Sequence, residues 1–307
     1  MFTPSLRIYG LSGHRALFTK TIYTLTGFRN LGIVYQNTTG RPLIVTGGEE
    51  SGAGSLTVYC DSSPSPTTIV NEGYGFGNQW FPFFFLVPPN YYYEVTNVGG
   101  TSMAWVEFTI NDDPVIFSGE LSGSRSIGTT YQNTSGKAKI AVVDIADSNP
   151  NELVSCVCDS SPAPTTTVSD YMVEAGGGNP PRNIAVLMIP NGYYYKITGA
   201  SASVLHWNEY TMPFNATQSS DLAGASRLYD TLYTNGVNNM FIVASGRTSQ
   251  TGQVSAANAA GFSNTLISTW PNDDAALWAI AQPGDSYNQT AGGSSSTLAH
   301  WFEYQLT

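Results

Sequence analysis

The hexapeptide Tyr-Gln-Asn-Thr-Thr-Gly at residues 35–40 decides how this chain is organised, because it returns as Tyr-Gln-Asn-Thr-Ser-Gly at 131–136. A shortened third version, Tyr-Thr-Asn-Gly, stands at 233–236. The three tyrosines are roughly 100 residues apart, which suits one small β-sandwich and is too long for a solenoid repeat. The spacing therefore predicts three tandem copies of one module.

Two charged residues delimit each copy. An arginine precedes each of the three tyrosines, and a Trp-x-Glu-aromatic tetrapeptide follows at 105–108, 207–210 and 301–304. Tryptophan and glutamate two residues apart share one face of a strand, and a carboxylate beside a buried tryptophan is costly unless it is paired. We therefore predict one structural ion pair per copy: Arg29 with Glu107, Arg125 with Glu209, and Arg227 with Glu303. Two independently solvated charges are the alternative.

The composition is that of a β-protein with many turns. Only 11% of the residues are charged, and the chain contains 31 glycines, 17 prolines and 18 tyrosines. Such a composition favours short strands and turns, and the chain has no long run of helix-forming residues. In the first copy we expect a strand from Arg29 to Gln36, a turn at 37–40 that ends on Gly40, and a returning hairpin strand from Leu43.

The predicted fold class is all-β, with three tandem antiparallel β-sandwich domains of jelly-roll-like form and a short N-terminal arm. The boundaries that follow from the repeats are an arm at 1–27, copy one at 28–110, a linker at 111–123, copy two at 124–211, a linker at 212–225, and a divergent copy three at 226–307.

Charge is unevenly distributed along the chain. The net charge is −10, yet residues 1–48 contain five basic residues and no acidic one. We expect the arm to anchor the protein to an acidic surface through Arg7, Arg15 and Lys20, a solvated tail being the alternative. The acidic remainder of the chain disfavours nucleic-acid binding, which requires basic patches.

Aromatic residues are more numerous than one inward-facing side of a strand can use. They cluster in the run from Trp80 to Phe85 and in two triple-tyrosine runs at 91–93 and 193–195. Aromatic residues at a protein surface indicate an interface, although packing between modules of the same chain explains the excess equally well. The interface or ligand candidates are Trp80, Phe81, Phe83, Tyr91, Tyr93, Tyr193 and Tyr195.

The sequence contains no recognisable enzyme or cofactor motif, so we expect a protein without catalytic residues, metal or cofactor. His206 and His300 stand at equivalent positions in two copies, which favours a structural role. Cys60, Cys156 and Cys158 are expected to be small buried thiols. We expect no signal peptide, and no apolar run reaches the length of a membrane helix.

The repeated motif resembles a module of tailed-bacteriophage virion proteins. The elements that carry the resemblance are the hexapeptide, Val-Pro-Pro-Asn-Tyr-Tyr-Tyr at 87–93, and the closing Trp-x-Glu. It covers 28–108 and 124–210 well and 226–304 weakly, because the third copy lacks the longer turn and the triple tyrosine. The resemblance implies a virion β-sandwich and transfers no catalytic residue.

The function expected from this resemblance is that of a tail-fibre or tail-tip component that attaches to the host surface. A capsid decoration protein anchored by the arm is the alternative. The expected location is the surface of the phage particle. Expected partners are other virion proteins and a host glycan or protein, with a homotrimer possible. The sequence leaves open whether the copies form a string or a pseudo-threefold knob within one chain.

Overall fold

A computed structural model describes residues 17–23, 29–51, 54–75, 79–97, 100–112, 114–147, 152–173, 182–223, 226–228, 231–236, 238–247, 252–257, 263–268, 274–290 and 297–307. The fold is all-β, as predicted, and the pairings between the strands named below are antiparallel. The only helical element among them is a short 3-10 turn at Ser122–Ser124.

Each copy contains two four-stranded layers. We call the layer with the Trp-x-Glu strand the inner sheet and the layer with the Tyr-Gln pair of the hexapeptide the outer sheet. In copy one the inner sheet has the order β1 (Phe18–Tyr23), β8 (Gly100–Ile110), β3 (Leu43–Ser51) and β6 (Gln79–Val87). The outer sheet has the order β2 (Tyr35–Gln36), β7 (Tyr92–Asn97), β4 (Gly54–Asp61) and β5 (Ile69–Gly75).

The other two copies repeat both layers in the same order. The inner sheet of copy two is β9 (Ile116–Glu120), β16 (Ala202–Thr211), β11 (Lys139–Asp147) and β14 (Arg182–Ile189), and its outer sheet is β10 (Tyr131–Gln132), β15 (Tyr194–Thr198), β12 (Glu152–Asp159) and β13 (Thr167–Val173). The inner sheet of copy three is β17 (Ala216–Gln218), β24 (Thr297–Leu306), β19 (Asn239–Arg247) and β22 (Asp274–Ala281), and its outer sheet is β18 (Tyr233–Thr234), β23 (Ser286–Thr290), β20 (Gly252–Ala257) and β21 (Ser263–Ser268).

The predicted hairpin at 37–40 is wrong, because the segment crosses from one sheet to the other. β2 pairs with β7 in the outer sheet, whereas β3 pairs with β6 and β8 in the inner sheet. The predicted strand from Arg29 is also too long, since only Tyr35–Gln36 is extended and paired. Gly32 interrupts it with a φ of 70° and donates from its backbone nitrogen to Val95 O.

The predicted arm and linkers each contain one strand of an inner sheet. β1 pairs with β8, β9 with β16, and β17 with β24, so each module begins before its arginine. The arm is therefore shorter than 1–27: Phe18 is buried, and Lys20 lies in β1 with its backbone opposite Phe108. Sequence reasoning missed these strands because nothing in them repeats. Arg7 and Arg15 lie outside the described residues.

Strand β6 shows where the excess aromatic residues go. Phe83 and Phe85 lie in the core between the two sheets of copy one. Phe84 faces the opposite way, and its ring centroid lies 6.2 Å from that of Phe241 and 5.9 Å from that of Trp278, both in copy three. The inner sheets therefore bury both faces, one in their own sandwich and one in a core shared with the other copies.

The three copies form a closed ring. The outer-sheet edge strand of each copy lies on the inner sheet of the next: β5 on copy two, β13 on copy three, and β21 on copy one. At the first of these junctions the two sheets merge into eight strands through a bridge between Tyr74 and Arg182. Of the two arrangements that the sequence left open, the chain adopts the pseudo-threefold knob.

Candidate functional site

The arginine and glutamate that recur in the sequence meet in a buried cluster that joins the two sheets of a copy. In copy one, Arg29 Nε lies 2.8 Å and Nη2 3.1 Å from the two Glu107 carboxylate oxygens. Glu107 Oε1 also accepts hydrogen bonds from Tyr93 Oη at 2.7 Å and Trp105 Nε1 at 3.0 Å. The Arg29 guanidinium stacks on the Tyr35 ring at 4.4 Å. Inner-sheet Glu107 and outer-sheet Tyr93 are thus tied together across the core.

The same cluster recurs in the other copies. Arg125 Nε lies 2.9 Å from Glu209 Oε1, and Arg227 Nε lies 2.6 Å from Glu303 Oε1. The predicted ion pair is therefore present in each copy. The alternative, two independently solvated charges, is wrong. The tyrosine and tryptophan partners are Tyr195 and Trp207 in copy two, and Tyr287 and Trp301 in copy three.

Copy two adds a second cation to its cluster. Lys139 Nζ lies 2.9 Å from Glu209 Oε2, and the Glu209 side chain is only 1% exposed. Burial by itself would raise the pKa of Glu209, but hydrogen bonds from Arg125, Tyr195 and Lys139 outweigh it and lower the pKa to about 2. Burial and the neighbouring carboxylate raise the pKa of Tyr195 far above its ordinary value. Glu209 is therefore a fixed anion and Tyr195 a fixed donor, which suits a structural cluster.

The asparagine of the hexapeptide has a structural role that the sequence did not reveal. Asn37 is buried, and its Nδ2 donates to the backbone oxygens of Arg41, Val87 and Pro88 at 2.8–3.1 Å. Its Oδ1 accepts from Thr39. Asn133 and Asn235 make the corresponding contacts with backbone oxygens in their copies. These bonds fix the crossover between the sheets to the end of an inner-sheet strand, β6 in copy one. In the sequence, only the recurrence of this asparagine indicated the role.

Three of the seven aromatic interface candidates are buried and unavailable for binding. Phe83, Tyr93 and Tyr195 are at most 1% exposed, so their assignment as surface residues is wrong. Tyr193 is half-buried against the shared core. Tyr91 is exposed at 37%. The side chains of Trp80 and Phe81 lie outside the described part of the structure. These aromatic side chains are buried in two cores because apolar burial is favourable and the closed arrangement of the three copies leaves few strand faces in water.

The cysteines are buried free thiols, as predicted. Burial, with a smaller contribution from Asp61, raises the pKa of Cys60 to about 12, and burial raises the pKa of Cys156 to about 12 as well. Such thiols are poor nucleophiles and poor metal ligands. Within the described ranges, no three His, Cys, Asp or Glu side chains are placed to hold a metal ion. The same ranges contain no helix long and apolar enough to cross a bilayer.

The equivalent histidines lie where successive copies meet. His300 of copy three is placed between Asp170 of copy two, at 3.6 Å, and Asp221 of its own copy, at 2.7 Å. His206 of copy two lies 3.9 Å from Glu72 of copy one. Both histidines therefore face a carboxylate of the preceding copy.

No protein-family model matches the chain. No curated protein matches it either.

Proposed function

We propose that this protein is a non-catalytic structural protein of a tailed-bacteriophage virion, located at the tail fibre or tail tip, where it attaches the particle to the host surface. The proposal rests on the resemblance of the repeated motif and on one structural observation, the closure of three sandwiches into a ring. A ring with a shared core is a rigid body whose loops remain free to vary. The recurring polar residues are used inside the modules, so the loops carry the attachment.

The loops of copies one and two offer such a rigid surface. Asp61 accepts hydrogen bonds from the backbone nitrogens of Ser63, Thr67 and Thr68, and these bonds hold the Pro-rich loop in one conformation. Asp159 makes the corresponding bonds in copy two. Two nearly identical rigid loops, which differ at Ser65 and Ala163, would bind a repeated partner with avidity rather than through one tight contact.

A second candidate, a capsid decoration protein, is favoured by the burial of the aromatic residues. With Phe83, Tyr93 and Tyr195 in the cores, an adhesive aromatic patch no longer supports the tail location. In a decoration protein the same rigid ring would project from the capsid as an inert body. The basic arm would anchor it to other virion proteins of the shell.

Localisation in the particle separates the two functions. Antibodies raised against the full chain should label the tail of intact virions, with a few dozen copies or fewer per particle by quantitative mass spectrometry. Hundreds of copies distributed over the capsid would establish decoration instead. Absence of the protein from purified particles would overturn both assignments.

The role of the arm is tested by deletion. The variant should lack residues 1–16 only, because Leu17 and Phe18 are buried against the inner sheets. Loss of the protein from particles with an unchanged circular dichroism spectrum is expected if Arg7 and Arg15 anchor it. Full retention would show that another surface makes the attachment.

A further inference from the structure

Histidine is present at two of the three junctions between copies. In the register of the inner sheets, His206 is opposite Asp144 and His300 is opposite Ser245. The corresponding pair in copy one is Ala104 opposite Gly48. The junctions from copy one to two and from copy two to three therefore carry an imidazole, whereas the junction that closes the ring has alanine in that position.

His300 is placed between an acid of its own copy and an acid of the preceding one. Asp221 Oδ2 lies 2.7 Å from His300 Nδ1, and its Oδ1 accepts from the Trp301 backbone nitrogen at 2.9 Å. Glu120, on the first strand of copy two (β9), accepts from the Trp207 backbone nitrogen in the same way. The acid from the preceding copy comes from its outer edge strand, which supplies Glu72 to His206 and Asp170 to His300.

Copy three, which contains His300, also holds the Asp170 side chain of copy two in place. Ser245 Oγ of copy three donates to Asp170 Oδ1 at 2.8 Å, and the Asp170 backbone nitrogen donates to Ser245 Oγ at 3.3 Å. Asp144 plays the reciprocal part at the first junction, where it accepts from Asn71 Nδ2 and the Glu72 backbone nitrogen. The charged groups are thus fixed by contacts that exist only when the copies are joined.

We propose that His300 is a pH-dependent ionic lock between copies two and three of the ring. Protonated imidazole bridges two carboxylates that belong to different copies, while neutral imidazole can satisfy only one of them as a donor. Deprotonation therefore leaves the half-buried Asp170 carboxylate without its cation at the junction. Protonated His300 stabilises the junction at acidic pH. This stabilisation is lost at alkaline pH, where the imidazole is neutral.

The direction of the pH dependence follows from the groups around His300. Hydrogen bonding to Asp170, opposed by burial and reinforced by Asp221, raises the pKa of His300 from 6.5 to about 8. The stabilisation is therefore complete below about 6.5 and is lost as the pH rises through about 8. At the acidic end, contacts with His300 and Ser245 outweigh burial and lower the pKa of Asp170, so the pair survives until that carboxyl is protonated.

The ionisation is measured by NMR titration of the full chain. The chain has three histidines, so variants with glutamine at His14, His206 and His300 in turn assign the three imidazole signals. We expect the signal that is lost in His300→Gln to titrate near 8 and to move toward the ordinary histidine pKa in Asp170→Asn. A His300 signal that titrates at or below 6.5 would overturn the proposal.

The effect on the junction is measured by hydrogen exchange at β13 and β19, corrected for the intrinsic pH dependence of exchange. Between pH 6 and pH 9, wild-type protein should lose protection there on the order of tenfold, as a shift of between one and two pKa units implies. His14→Gln should behave like wild type, whereas His300→Gln should show the lower protection at both pH values. An undiminished pH dependence in His300→Gln would refute the lock. If that variant does not fold, Asp170→Asn and the wild-type titration decide the question.

Discussion

Replacing Glu209 by glutamine should destabilise the protein more than any other single isosteric change in its recurring polar residues. The carboxylate is 1% exposed and accepts from Arg125 and Lys139, each at 2.9 Å, as well as from Tyr195 and Trp207. Glutamine keeps the shape but leaves two cations facing a neutral amide. Breaking a buried ion pair by removing one partner costs about 3–5 kcal/mol, and we expect a loss of this size at pH 7.

The pH dependence gives an independent estimate of the same quantity. The pKa of Glu209 is lowered from 4.5 to about 2 in the folded protein. Because a pKa difference of that size corresponds to about 3 kcal/mol, this stabilisation is fully present above 4.5 and disappears as the pH falls through about 2. The free-energy difference between wild type and Glu209→Gln should therefore shrink between pH 5 and pH 2.

The assay is urea unfolding followed by tryptophan fluorescence and circular dichroism at several pH values. Lys139→Leu is the matched control, because copy one has Leu43 at the same register and still forms its cluster. We expect it to cost about 1 kcal/mol, as for a partly exposed ion pair. The reasoning is refuted if Glu209→Gln lies within about 1 kcal/mol of wild type at pH 7, or if its deficit does not change with pH.

Three further experiments test separate parts of the structure. Gly136→Ala should cost about 1 kcal/mol in thermal unfolding because Gly136 has a φ of 82°, whereas Gly123→Ala, where φ is ordinary and space is open, should be neutral. Phe84→Ala should cost about 3–5 kcal/mol if the copies share a core, and Tyr91→Ala, which is exposed, should cost little; equal effects would contradict the ring. Cys60, whose pKa is raised to about 12, should react with a thiol reagent at pH 8 only after unfolding, and rapid labelling of the native protein would contradict its burial.

The recurring residues allowed the ion-pair cluster to be predicted from sequence. Arg29 and Glu107 are the charged residues that return in each copy, and a charge beside a buried tryptophan needs a partner. The buried cysteines followed from their number and position in apolar strands. For Asn37 the sequence predicts only a turn, because it does not show that the side-chain amide will be buried and will donate to three backbone oxygens.

Three properties of the module could be predicted from the amino-acid sequence: its all-β class, its repetition, and the charged residues that hold its two sheets together. These depend on local alternation and on recurrence, both of which are visible along the chain. Tertiary structure alone decided that residues 37–42 cross between sheets, that β1, β9 and β17 belong to the modules, and that Phe84 faces another copy. Each of these features depends on which strands pair or pack although they are far apart in the sequence. The same alternating pattern of apolar residues is compatible with a face in the sandwich core, a face in a shared core or a face in water. The closed ring settled that choice, because it gives every inner sheet a second buried face.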